Sequence, residues 1–181
     1  MTEAYDAGLD RRDANHQPLT PLSYLRRAAA VFPETTAIVH GELRTSYAEF
    51  YARARRLASA LAASGIGKND TVSALLLNTP PMLEAHYGVP MAGAVLNTIN
   101  TRLDAAGIGF ILDHGEARVV LVDSELAPLL AEALAQMESG RKILVVEYTD
   151  PTAGVPSSGM GVDYEAFLEQ GDPDFAWDLP G

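Results

Sequence analysis

Three short runs constrain this chain most. "TVSALLL" (residues 71–77), "RVVLVD" (118–123) and "KILVVE" (142–147) are almost continuously apolar. A strand with one face in water alternates apolar and polar side chains, so a strand apolar on both sides has to be covered on both faces. "GAVLNTI" (93–99) reads as a further short strand, and helix-length segments separate all four. That alternation predicts an α/β fold, a largely parallel sheet flanked by helices.

The helical segments carry their own start and stop signals. In "LTPLSYLRRAAAVFP" (19–33), Thr20 fits an N-cap and Pro21 the first helical position. Leu22, Leu25, Ala29 and Phe32 follow at helical spacing, and Pro33 helps to end the helix. "AIVH" and "LRTS" read as two short strands joined by a turn around Gly41 and Glu42. Ser46 with Glu49 forms a capping-box pattern opening a helix striped by Tyr47, Phe50, Ala54, Leu57 and Leu61, with Gly65 closing it. Arg53, Arg55 and Arg56 avoid the stripe and read as a solvated face, with a phosphate site as the alternative. A helix over about 81–91 is expected to end or kink at Pro90. The helix in 102–115 closes at Gly115 and contains Gly107 and Gly109. Each of those glycines costs about 0.5–1 kcal/mol relative to alanine unless close backbone packing compensates.

A helix over 124–137 follows, then a Pro/Gly/Ser loop and the short helix "DYEAFLEQG". The expected organisation is an extended arm over 1–18, an α/β subdomain over 19–149, a loop over 150–163, and a helix with tail over 164–181.

The formal net charge of −11 over 181 residues argues against nucleic acid or an anionic membrane as partner. No apolar run approaches the ~20 residues of a membrane span. The polar N-terminus is unlike a secretory signal, so the expected location is cytoplasmic. There is no cysteine, and the four histidines lack metal-ligand spacing. No strand is followed by Gly-x-Gly-x-x-Gly, no Gly-Lys-Ser/Thr triplet occurs, and Gly-x-Ser-x-Gly is absent. Asp123 ends a strand without the acidic partners of a phospho-acceptor site, so it reads as a helix N-terminal acid or cap. "SSGMG" (157–161) is loop-like and could cradle a phosphate, yet it has no lysine and follows no clean strand–turn–helix pattern. It reads as a flexible surface connection.

The long stretch from "GLDRRDANHQPLTPLSYLRRAAAVFPETTAIVHGELRTSYAEF" through "NTPPMLEAHYGVPMAGAVLNTINTRLDAAGIGFILDHGEARVVLVD" to "YEAFLEQGDPDFAW" resembles, collinearly, the opening of adenylate-forming acyl-CoA synthetases. The branch acting on short and medium carboxylic acids is the most similar. The resemblance implies that the chain is the N-terminal subdomain of that fold. It implies a two-step reaction: the carboxylate attacks ATP to give an acyl-adenylate and pyrophosphate, and the thiol of coenzyme A then displaces AMP. ATP, Mg²⁺ and coenzyme A are the implied cofactors, a small carboxylic acid the substrate, and a homodimer a possible assembly. In that family a Ser/Thr/Gly-rich loop ending in Lys holds the phosphates, shortly after the segment corresponding to "FAWDLPG". The 181 residues alone are therefore expected to bind none of the cofactors and to be inactive. A stand-alone binding or dimerisation module derived from the subdomain is the alternative, and it would cover with polar residues the apolar face that a fragment exposes.

Two residues remain as candidates for a pocket edge or interface. His86, on "PMLEAHYGVP", stands near an acyl pocket or subunit contact, or is a partly buried helix histidine with a satisfied hydrogen bond. Arg102, in "NTINTRL", pairs with a carboxylate across domains or subunits, or caps the strand end locally.

Overall fold

A computed structural model describes residues 20–179 together with Asp10, Arg12 and His16. The expected arm over 1–18 otherwise lies outside the described residues. Thr20 caps α1 (Pro21–Val31), its hydroxyl accepting from the Leu22 N–H. The antiparallel hairpin β1 (Thr36–His40) and β2 (Leu43–Ser46) turns at Gly41, whose φ of +55° suits a residue without a Cβ. Ser46 then opens α2 (Tyr47–Ala63) with both halves of the capping box made.

Strand and helix alternate from there: β3 (Thr71–Leu75), α3 (Pro80–Met91), β4 (Val95–Thr98), α4 (Ala105–His114), β5 (Ala117–Asp123), α5 (Ala127–Ala135), β6 (Leu144–Tyr148), β7 (Val162–Asp163) and α6 (Tyr164–Glu169). Pro90 lies in the last turn of α3, which stops one residue later. The segment ahead of α5 begins as a single 3₁₀ turn over Ser124–Leu126.

β3 to β7 form one parallel sheet in the order β4-β3-β5-β6-β7. β7 corrects the expected loop over 150–163. Val162 and Asp163 pair with Val146 and Glu147, so the loop ends as an edge strand.

The apolar runs are explained by burial on both faces. Val119 and Leu121 of β5 pack with Leu57, Leu61, Val72 and Val89 on the side of α2, α3 and α6. Val120 and Val122 pack with Ile108, Leu112 and Leu130 on the side of α4 and α5. All four β5 residues have no exposed surface, and each such side chain contributes about 1.5–3 kcal/mol. A third cluster, around Leu22, Leu25, Phe50 and Ala54, joins α1 and the hairpin to α2.

The two glycines of α4 have separate reasons. A Cβ on Gly109 would stand 2.9 Å from the Ala133 carbonyl oxygen of α5, so glycine lets the two helices approach. Gly107 donates its N–H to the Asp104 carboxylate, which caps α4. Gly109→Ala should therefore destabilise the fold by about 1–3 kcal/mol in urea denaturation, although alanine is the better helix former. A stabilised variant would show that α4 and α5 do not pack so closely.

Candidate functional site

Chain order reverses in this sheet. The crossover from β3 leads outward to β4, and the next returns past β3 to β5. In doubly wound sheets the crevice outside the carboxyl ends of the strands at such a switch point is the usual ligand site. Here it is bounded by residues 76–81 after β3 and by Asp123 at the end of β5.

That crevice is unsuited to a phosphate. Anions bind at a helix start through free N–H groups, but α3 begins with Pro80 and Pro81, which have none, and the Met82 N–H is bonded to Thr79 O. The Thr79 side chain makes no cap bond. An acid already occupies the place, because the Asp123 carboxylate accepts the Leu77 N–H. Asp123 stands at the N-cap position of the 3₁₀ turn, as an acid at a helix N-terminus, but its side chain makes no capping bond.

The Asp123 carboxyl is 1% exposed, and its Oδ1 has no hydrogen-bond partner. Burial, with help from the nearby Asp150 and Glu125 charges, pushes its pKa up to about 6, against the pull of the Leu77 N–H and the Thr79 hydroxyl. Beyond it, His40 Nε2 meets the Asp150 carboxylate at 2.9 Å, tying the hairpin to the segment after β6.

A cleft of about 430 Å³ lies beside this end of the sheet, between β2, α2 and the start of α3. Arg53, Glu84 and Glu165 line it, with Tyr148. Glu84 is 1% exposed and accepts from Arg53 Nε at 2.5 Å, Arg53 Nη2 at 3.3 Å and the Tyr164 hydroxyl at 2.7 Å. Arg53 gives its other bonds to Glu165, at 2.8 Å from Nη1 and 2.6 Å from Nη2. Burial opposes its charge, but the two carboxylates outweigh this and hold the guanidinium protonated. Burial and the Glu84 charge likewise raise the Tyr164 pKa well above that of an ordinary tyrosine. A guanidinium so committed has little left for an anion. The group is a structural clamp joining α2, α3 and α6.

The other two arginines complete a correction to the expected solvated face. Arg55 pairs with Asp174 at 3.1 Å and lies 4.5 Å over the Tyr51 ring, while Arg56 donates to Gly171 O at 3.0 Å. All three fasten α2 to residues 164–178.

His86 is exposed on α3, its Nδ1 2.7 Å from Met82 O. Arg102 is exposed in the β4–α4 connection, its backbone N–H bonded to Asn100 Oδ1 at 3.0 Å. The structure brings neither to the cleft. Glu84 and Tyr164 escaped the sequence reading, although a lone acid in "PMLEAHYGVP" was a visible signal. Among the described residues no group of three His, Asp or Glu side chains is placed to hold a metal, and no helix is long and apolar enough to cross a membrane.

The raised Asp123 pKa makes a pH prediction. The folded group holds its proton up to about pH 6 and the unfolded one only to its ordinary value, so stability falls as pH rises through that window. Asn at 123 keeps an acceptor for Leu77 and does not titrate. In urea denaturation Asp123→Asn should gain on the wild type by about 1–3 kcal/mol more near pH 7 than near pH 4. An equal difference at both pH values would contradict the shift.

Residues 25–176 match the AMP-binding enzyme family. A peroxisomal acetate/butyrate–CoA ligase of Arabidopsis thaliana is 41% identical over 95% of this chain and 32% of its own length. An acetate–CoA ligase of Humulus lupulus is 42% identical over the same shares. Among solved structures, a benzoate CoA ligase from Burkholderia xenovorans LB400 superposes with a TM-score of 0.75 at 25% identity, covering 88% of this chain and 30% of that one. The chain thus spans about a third of the length of the curated relatives it matches. With a doubly wound sheet and a match across most of its length, this chain belongs to the AMP-binding enzyme family.

Proposed function

We propose that the chain is the N-terminal portion of an AMP-forming acyl-CoA synthetase acting on a small carboxylic acid. The observation that carries this reading is the collinear identity of 41–42% over 95% of the chain with ligases named for acetate and butyrate. The intact enzyme would use ATP with Mg²⁺ to convert the carboxylate, a poor electrophile, into an acyl-adenylate, and would then pass the acyl group to coenzyme A.

Within such an enzyme these residues serve as scaffold. Their switch-point crevice offers prolines and a carboxylate where a phosphate would need donors, so the nucleotide is held by other parts of the enzyme. Exposed apolar side chains support this reading over a free-standing module. Tyr24, Val31 and Phe32 on and just after α1, with Val39 and Leu43 on the hairpin, are each 49–63% exposed.

A chimera tests the proposal. The corresponding third of the Humulus lupulus acetate–CoA ligase is replaced by residues 4–177 of this chain, and acetyl-CoA formation is measured beside pyrophosphate release by the 181-residue chain alone. The expected result is a chimera that forms acetyl-CoA and an isolated chain that releases no pyrophosphate with acetate, butyrate or benzoate. A soluble but inert chimera, or turnover by the isolated chain, would overturn it.

A further inference from the structure

The "SSGMG" loop does hold an oxyanion, and that oxyanion belongs to the chain itself. Glu147, near the carboxyl end of β6, is 1% exposed, and its carboxylate accepts from two sides. Oε1 takes the Ser124 hydroxyl at 2.7 Å and the Ser158 N–H at 2.6 Å. Oε2 takes the Ser158 hydroxyl at 3.0 Å and the Met160 N–H at 3.2 Å. Burial works against the charge, yet these donors outweigh it and hold the carboxyl below its ordinary pKa. The expected flexible connection is therefore an organised loop.

The donors are held by contacts of their own. Gly159 sits at φ +70°, the backbone reversal that turns neighbouring N–H groups to one side, and its N–H bonds to Ser157 Oγ at 3.2 Å. The Met160 N–H is shared with Ser158 Oγ at 3.1 Å. Ser124 is positioned separately, 3.2 Å from Tyr148 O and 2.9 Å from Thr149 Oγ1. The cradle matters to the fold because only two residue pairs join β7 to β6, immediately after this loop.

We propose that residues 157–160 and Ser124 form a preorganised oxyanion cradle whose resident ligand is the Glu147 carboxylate, and that a free small carboxylate occupies it when that side chain is removed. Glu147→Ala deletes a CH₂–COO⁻ unit, which acetate matches atom for atom. The inference stands independently of the proposed enzymatic role.

Thermal unfolding and limited proteolysis of the 150–161 loop test it. Wild type, Glu147→Ala and Glu147→Gln are compared in sodium acetate and in sodium chloride of equal ionic strength at neutral pH. Glu147→Ala should melt lower than wild type. Acetate at about 0.2 M should then raise its Tm by about 3–6 °C more than chloride does, and should slow cleavage of the loop. Wild type and Glu147→Gln, whose cradles are filled, should show no acetate-specific shift. The proposal is overturned if Glu147→Ala responds equally to both salts, or if wild type shows the same acetate shift, which would place the ion elsewhere. Should Glu147→Ala not fold, Glu147→Gln decides. Its amide turns a donor toward donors, so its loop should be cut faster than that of wild type, and equal cleavage overturns the proposal.

Discussion

One buried carboxylate joins three helices of this domain. Glu84 of α3 receives Arg53 from α2 and the Tyr164 hydroxyl from α6, on the side of the sheet opposite α4 and α5. A charge with almost no contact with water is tolerable only while its partners remain, and removing one partner of such a group costs about 3–5 kcal/mol. α6 enters directly from β7, so the same network also anchors the end of the sheet. Further along, Arg55 and Arg56 hold residues 171–174 against α2, and the Trp177 indole donates to the Tyr51 hydroxyl at 3.0 Å. The C-terminal segment is thus built into the side of α2.

The core of this fold was legible because burial on both faces of a parallel strand leaves an apolar run in the sequence. The Ser46 and Glu49 box was legible because both of its bonds are local. Features set by distant partners were not. Arg53, Arg55 and Arg56 lie off the apolar stripe of α2, and that position implies water only when nothing else packs there. Here α6 and the tail do. β7 is too short to show a pattern, and Gly109 is explained only by the α5 backbone. The nature of "SSGMG" turned on Glu147, whose carboxylate meets the loop only because the chain returns to the edge of β6. The loop has the donors of an anion site, as its composition suggested, but the anion is internal.

The candidate site separates architecture from chemistry. The order β4-β3-β5-β6-β7 creates a switch point, and many doubly wound proteins bind phosphates at that place. In this chain two prolines remove the donors and Asp123 supplies the wrong charge. Family membership therefore rests on the length of the match, not on phosphate-binding donors at this crevice.

The account depends most on the claim that Glu84 binds α6 to the α2–α3 pair as one unit. A double-mutant cycle of Glu84→Gln and Tyr164→Phe, followed by urea denaturation, measures this directly. The account predicts that the two losses are not additive, with a coupling of about 1–3 kcal/mol. Losses that add to within about 0.5 kcal/mol would show that the two side chains act independently and that the clamp does not hold the domain together.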